Sequence, residues 1–587
     1  MASDHDSDQL LRIPSPLPED ILRHLPTRNH TAMRDCLFKL QYLINATAAV
    51  NRLPVELLTE ILRLRLVCAQ YPVLNPKPSL VTVLLVCRHW YNTAVSSAVL
   101  WTKITLRMPL QVLEKYLRRS RGAALSLDTR LIKASAPQVF VDALSPHIDR
   151  ITHLATRSFE AYVEHPMMSL SSLILNDSEP IAQHRSSSLR SSVVSIHGKC
   201  LPQLESLTLV GLRTRVRIVN ARCLTRLELV SMSYDSWDGL FISLSGCPAL
   251  EYLELNEFSA DSMAVVTPAG RQTIELPHLR KLYLSQFEGH RSLSFFLAHV
   301  ALPRTATIVI IMWKESIDDA MDGIVDLSPG YTVFADAVPH DKTLLPMFST
   351  IQKIKIKIKP ERVEVEGFML AALDHTGVRE PSVGLYCDFG DVHNTRSLQK
   401  QLMIELGSLF SSATTLRICI ADDECYDMRL DPTGIESWKS LYDMFPHIEA
   451  IDFAGPSLGF FDEFLSDIGP TPLPQRAHHA PLPWPKLKRA RFECAAMNSD
   501  AYDIIRGITA SICNRQLDAS VERLQRLIIV LADVDGPSNL RRCLRQLRSK
   551  TEELVCTIGK QDLVLDDLDP SLLVLHGDVN ETMLSES

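Results

Sequence analysis

The chain of 587 residues carries 61 Lys and Arg against 69 Asp and Glu, a net charge of −8, with 46% apolar and 6% aromatic residues. It is too apolar for a disordered chain and long enough to bury a large core, and its acidic balance leaves no electrostatic footprint for wrapping nucleic acid. Leucine alone is in excess, at roughly one residue in seven, which points to helices or repeats.

The N-terminal stretch, Met1 to Asp8, is polar and acidic and lacks the basic start and apolar run of a secretory signal. The most apolar stretch, Leu297 to Trp313, is broken by Pro303 and Arg304, so no membrane span is expected. Residues 1–50 read as a helical extension, in which Leu17 to Leu22 and Met33 to Val50 are predicted to pack beside the module that follows.

Residues 51–105 form that module. Pro54 suits the first turn of a helix, where its missing N–H is no loss. Leu57, Ile61, Leu64 and Cys68 then make one apolar row, and Leu58, Leu62 and Leu66 make a second. A short helix that is apolar on two faces needs two neighbours, one of which can be another chain. The three prolines between Tyr71 and Pro78 end it. Ser79 can cap a second helix, on which Val83, Val86, Cys87, Trp90, Tyr91 and Ala94 share a face, and Leu100-Trp101 adds an apolar anchor.

The literal residues add to this. Leu53-Pro54-x-Glu56-Leu57-Leu58-x-x-Ile61, then Val86-Cys87-Arg88-x-Trp90, then Leu100-Trp101 resembles an F-box. The proline-rich insert and the missing Asp-Leu dipeptide depart from the commonest form; insert-bearing versions ending in Leu-Trp resemble the fungal F-box families. The resemblance implies docking to the Skp-type adaptor of a cullin-based ubiquitin ligase. It marks Leu53, Pro54, Leu57, Leu58, Ile61, Val86, Cys87, Trp90 and Trp101 as the adaptor-binding surface and its supporting core. Contact and core residues are not separated at this point.

Further along, Leu201-Pro-Gln-Leu204-Glu-Ser-Leu207-Thr-Leu209 returns around Leu224, Leu250 and Leu279. Those leading leucines fall at 204, 224, 250 and 279, intervals of 20, 26 and 29 residues. The L-x-L half has the period of a strand that buries alternate side chains, and the preceding L-x-x-L step suits a turn into it. One such unit cannot bury its apolar face alone, whereas stacked units share a continuous core. The pattern resembles an irregular leucine-rich repeat, with fainter copies near Leu173, Ile451, Leu487 and Leu527. The usual residue after the strand is not dependable, since the second copy runs on into Val230-Ser231-Met232. The expected fold is therefore α/β: a three-helix F-box followed by a leucine-rich-repeat solenoid over 106–565, interrupted over 300–440, with an acidic tail at 566–587.

Within the interruption, Lys353, Lys355, Lys357 and Lys359 alternate with isoleucines and precede Val363-Glu364-Val365-Glu366. A hairpin here would set lysines across from glutamates, and a lysine row would also blunt a sheet edge. In the tail, Leu572 to Leu575 reads as a closing strand.

No phosphate-binding, zinc-protease or nucleophile-elbow motif occurs. The 13 cysteines are scattered without a CxxC pair and read as reduced thiols of a cytoplasmic or nuclear chain. His478-His479 and Asp422-Asp423-Glu424 read as solvated loops. No catalytic, cofactor or metal residue is assigned. The expected role is a non-catalytic, substrate-recruiting adaptor that binds a Skp-type protein, through it a cullin, and a protein substrate. The alternatives are a repeat scaffold or sensor outside ubiquitin ligation, and an enzyme with an unrecognised site at 300–440.

Overall fold

The computed structural model describes residues 27–68, 80–105, 109–130, 137–157, 166–176, 193–212, 215–234, 237–260, 273–287, 290–313, 334, 337–339, 341–359, 362–369, 381–388, 405–420, 445–455, 484–494, 500–515, 523–531, 537–558, 561–563 and 575–576. The chain divides into two compact units, 1–155 and 156–587.

The first unit runs α1 (Thr27–Thr47), α2 (Val55–Cys68), α3 (Leu80–Leu84), α4 (Arg88–Ser96), β1 (Lys103–Thr105), α5 (Leu110–Arg119), β2 (Leu125–Asp128), α6 (Pro137–Leu144) and β3 (Ile151–Thr156). The three strands pair in parallel, β1 on β2 and β2 on β3. Its helical core joins Leu58, Leu62, Leu80, Val83, Ala94, Leu100 and Trp101. One expectation is corrected here. The second motif helix is two helices, because Cys87 is extended (φ −160°, ψ 170°). Val86, in the break itself, is β-branched and weakens a continuous helix there. In α1, Met33, Phe38, Leu40, Tyr42, Leu43 and Ile44 are exposed, while Leu37 is partly buried.

The second unit opens with β4 (Ser172–Asn176), β5 (Val193–His197), β6 (Ser206–Val210), β7 (Arg215–Val219), β8 (Arg226–Val230), β9 (Ser233–Tyr234), α7 (Trp237–Ser245), β10 (Tyr252–Asn256), β11 (Ser259–Ala260), β12 (Ile274–Glu275), β13 (Lys281–Ser285), α8 (His290–Leu297), β14 (Val300–Ala301) and β15 (Thr307–Trp313). The strands β4, β6, β8, β10, β13 and β15 form one parallel ladder in strict register. Leu173, Leu207, Leu227, Leu253, Leu282 and Ile308 make one row across it, and Leu175, Leu209, Leu229, Leu255, Leu284 and Ile310 the next. No residue of either row is more than 2% exposed. Each strand alone is too short to be stable; the shared rows supply the core.

Each of four strands ends in a residue with left-handed backbone: Gly211 (φ 65°), Ser231 (φ 52°), Glu257 (φ 50°) and Gln286 (φ 53°). Their N–H groups donate to carbonyls at or near the end of the next strand, Val230, Asn256, Ser285 and Ile311, at 2.8–3.1 Å. The second repeat strand therefore ends at Val230 and does not run on through Ser231 and Met232. The return segments pair separately, β5 with β7, β9 with β11 and β12 with β14. Trp237 and Phe241 of α7 lie within about 6 Å of Phe295 and Phe296 of α8, ring to ring.

Next come β16 (Lys353–Ile358), β17 (Arg362–Phe368), β18 (Val383–Asp388) and β19 (Thr415–Ile420). Here chain order and sheet order part company. β15 pairs with β18, β18 antiparallel with β17, β17 antiparallel with β16, and β16 in parallel with β19. A three-stranded meander is thus spliced into the parallel ladder. The lysine strand lies between two partners rather than at an edge, because β19 covers its second side. The ladder then resumes in parallel through β20 (Ala450–Gly455), β21 (Arg489–Cys494), β22 (Arg526–Leu531) and β23 (Glu553–Ile558), with α9 (Asp500–Arg515) and α10 (Pro537–Arg548) as returns. Two short antiparallel strands, β24 (Gln561–Leu563) and β25 (Leu575–His576), close it. Of the predicted closing strand, Leu575 lies in β25, while 572–574 fall outside the described residues. A helical N-terminal module followed by a long, mostly parallel sheet with short helices is an α/β architecture consistent with a leucine-rich-repeat-like solenoid. Among the described residues no helix is long and apolar enough to cross a membrane.

Candidate protein-docking surface

Helix α2 begins where Pro54 ends the preceding turn; the Pro54 carbonyl accepts from the Leu58 N–H at 3.0 Å. Its two apolar rows have different fates. Leu58 and Leu62 are 0% and 1% exposed and enter the core, whereas Leu57, Ile61 and Leu64 are 53%, 44% and 47% exposed. Positions 57, 61 and 64 stand one above another on the helix surface, so the exposed row is continuous. Alongside it, Glu60 and Arg63 form an exposed ion pair at 2.6 Å. The hydrogen bond from Arg63 holds the Glu60 carboxyl below its ordinary range.

The other motif residues sort in the same way. Val86, at the break between α3 and α4, is 53% exposed. Leu53, Cys87 and Trp90 are partly buried, and Pro54 is exposed. The Trp90 indole N–H donates to Asn51 Oδ1 at 2.7 Å, and Asn51 Nδ2 donates to the Asn45 carbonyl at 2.6 Å. Asn51 therefore pins Trp90 to the end of α1, a role its place before the motif did not suggest. Trp101 is 3% exposed. Its indole N–H donates to the Ala94 carbonyl at 2.7 Å, its ring meets Tyr116 edge-on at 4.9 Å, and the Arg119 guanidinium lies 4.3 Å above it. Burial there pushes the Tyr116 phenol up from its usual value.

Leu58 and Trp101 are thus core, while Leu57, Ile61 and Val86 face outward. Leu85, at the break between α3 and α4, was not singled out from the sequence and is 68% exposed; Tyr91, placed with the face of the second motif helix, is 43% exposed. An open groove of about 500 Å³ runs beside Phe38, Tyr42 and Leu43 of α1 and Arg88 of α4.

The second unit offers a different surface, the face of the ladder opposite the leucine rows. Thr208, Glu228, Glu254 and Tyr283 stand in register across β6, β8, β10 and β13. On the meander, Lys355 pairs with Glu366 at 2.9 Å, and Glu364 receives Lys357 at 3.3 Å and Lys359 at 3.1 Å. The hairpin of facing lysines and glutamates is present as expected. Burial would raise the Glu364 carboxyl, but hydrogen bonds from Lys359 and Lys357 hold it below its ordinary range. Beyond it, Asp452 sits between Arg417 and Arg491, at 3.3 and 3.8 Å. Burial outweighs both guanidiniums and pushes its carboxyl up.

Among the described residues no group of three or more His, Cys, Asp or Glu could hold a metal ion, and Cys87, Cys247, Cys387 and Cys556 are among the free thiols. His478-His479 and Asp422-Asp423-Glu424 lie outside the described residues.

The F-box-like family model matches residues 50–107, the stretch that holds the Leu58–Trp101 core and the outward apolar row of α2. An F-box-like domain implies binding of a Skp-type adaptor, suggests a substrate-adaptor role in an SCF ubiquitin ligase, and is typically non-catalytic. Comparison with curated proteins gives no match.

Proposed function

We propose that this chain is the substrate-recruiting subunit of an SCF-type cullin–RING ubiquitin ligase. The module at 51–105 docks to the Skp-type adaptor, and through it to the cullin. The ladder, within the array assigned to 106–565, holds a protein substrate, and partner subunits carry the ligation chemistry. Holding substrate and ligase on one chain makes transfer effectively intramolecular, so the contribution is effective concentration rather than active-site chemistry. The observation that carries the reading is the exposed row Leu57, Ile61 and Leu64 on a helix whose other row buries Leu58 and Leu62. Exposed aliphatics backed by a folded core are what a protein interface needs at its centre.

The test is co-purification of recombinant Skp-type adaptor with the full chain and with a Leu57→Lys/Ile61→Lys variant. Both side chains already face outward, so the variant should keep its fold while losing the adaptor. Adaptor capture undiminished in the variant would remove the docking assignment and favour a scaffold or sensor acting outside ubiquitin ligation.

A further inference from the structure

Helix α1 lies outside the F-box-like domain, which starts at residue 50, and it carries apolar side chains in water: Phe38 is 49%, Tyr42 59% and Leu43 60% exposed. A helix of 21 residues gains most of its stability from packing an apolar face. Phe38 and Tyr42 stand one turn apart and share a face. With Asp35, Lys39 and Leu43 they line the open groove of about 500 Å³, together with Arg88 of α4. Two observations join this groove to the docking surface. Arg88 closes the Val86-Cys87-Arg88 motif, and Leu85 and Val86, 68% and 53% exposed, lead along the chain to it. Trp90, on the same helix as Arg88, donates to Asn51 at 2.7 Å, and Asn51 donates to the Asn45 carbonyl of α1 at 2.6 Å. A motif residue thus ties α1 to the module, and α1 and the docking motif build the groove jointly.

The lining sets the chemistry of what fills it. Phe38, Tyr42 and Leu43 offer apolar surface that gains by leaving water, while Lys39 and Arg88 set two cations against the single carboxylate of Asp35. That combination suits an apolar segment that carries an acidic side chain, the usual apolar centre and polar rim of a protein interface. Arg88 lies two residues from Val86, within about 7 Å along the chain, so a partner seated on Val86 reaches the groove. A second copy of this chain fits less well, because a two-fold pairing sets the patch against itself and doubles the excess of cations. Resting on the reading of the module as the adaptor's seat, we propose that the Skp-type adaptor also fills this groove. Helix α1 then extends the docking surface beyond the family's domain, and an apolar, acid-bearing segment of the adaptor packs against Phe38, Tyr42 and Arg88.

The test is the affinity of recombinant Skp-type adaptor for the full chain and for three double variants of it. Phe38→Ala/Tyr42→Ala should weaken binding about tenfold or more, the scale of losing two aromatic anchors. Lys39→Glu/Arg88→Glu should weaken it at low salt, with the difference from the parent shrinking as salt is raised. Met33→Ala/Leu40→Ala truncates side chains on another face of α1 and should leave the affinity within about twofold. All six substituted side chains are exposed, so each variant should keep the parent's thermal midpoint. Undiminished affinity in the first variant, an unchanged salt response in the second, or an equal loss in the third would each overturn the proposal. So would a parent that sediments as a dimer and becomes a monomer on Phe38→Ala/Tyr42→Ala, since a second copy would then hold the groove. A parent that binds no adaptor at all removes the ligase reading and this inference with it. Binding that depends on Leu57 and Ile61 but not on Phe38 and Tyr42 overturns this inference alone.

Discussion

Adjacent leucines at 57 and 58 show how finely a helix assigns roles. Leu58 has no exposed surface, so Leu58→Ala removes buried methyl groups and leaves a cavity; thermal or urea unfolding should register a loss of about 2–5 kcal/mol. Leu57 is half exposed, and its truncation should leave the fold within about 0.5 kcal/mol while damaging adaptor capture. A combined Leu57/Leu58 alanine variant would confound the two effects. Burial also sets the chemistry of two thiols, Cys247 and Cys556, whose pKa values are pushed up to about 12. Each favours the neutral thiol in the fold, so the stabilisation is complete below the unfolded-state value near 9 and is lost as pH rises towards 12. The melting temperature should therefore fall between pH 9 and 12. A Cys247→Ala/Cys556→Ala variant should melt lower at neutral pH but show a flatter alkaline limb.

At the level of elements, the β16–β17 hairpin is held by facing charges as well as by Ile354, Ile356, Val363 and Val365, all at most 2% exposed. Glu364 is the hub, with Lys357, Lys359 and Arg362 all within 3.5 Å. Glu364→Gln leaves three cations around a neutral amide and should cost about 2 kcal/mol, read by chemical denaturation. The Glu364 carboxyl is held low in the fold, so its contribution is present above the unfolded value near ~4.3 and disappears as pH falls through the folded value. The variant's acid limb should accordingly be shallower than the parent's. The pairing of these lysines with glutamates was readable from alternation alone. The position of the strand was not, because β19, which covers it, lies some sixty residues downstream and carries no signal pointing back to β16.

For the second unit as a whole, the ladder makes stability a matter of neighbours. β8 and β10 are paired on both sides by strands in strict register, whereas β24 and β25 are short antiparallel strands at the end. Amide exchange should be slowest in β8, β10 and β13 and fastest in β24 and β25; uniform protection along the ladder would contradict a nearest-neighbour array. The repeat was legible over 200–290 because alternation and L-x-x-L spacing are local properties of the chain. The left-handed residues that end the strands were not, since only Gly211 of the four is a glycine. Ser231, Glu257 and Gln286 accept a conformation that costs roughly 1–2 kcal/mol, sustained by the bonds to the next strand.

What the sequence determined by itself is therefore whatever depends on neighbours along the chain: the two apolar rows of α2, the three motifs of the docking module, the strand period and the lysine–glutamate hairpin. Tertiary structure decided the rest. It chose which row of α2 faces outward, broke the second motif helix at Cys87, spliced β16–β18 into the ladder in reverse order, and brought Phe38 and Tyr42 of α1 beside Arg88 in one groove. The physical reason is the same each time. Burial and pairing between distant segments are set by which surfaces find a partner once the whole core closes, and spacing along the chain does not encode that choice.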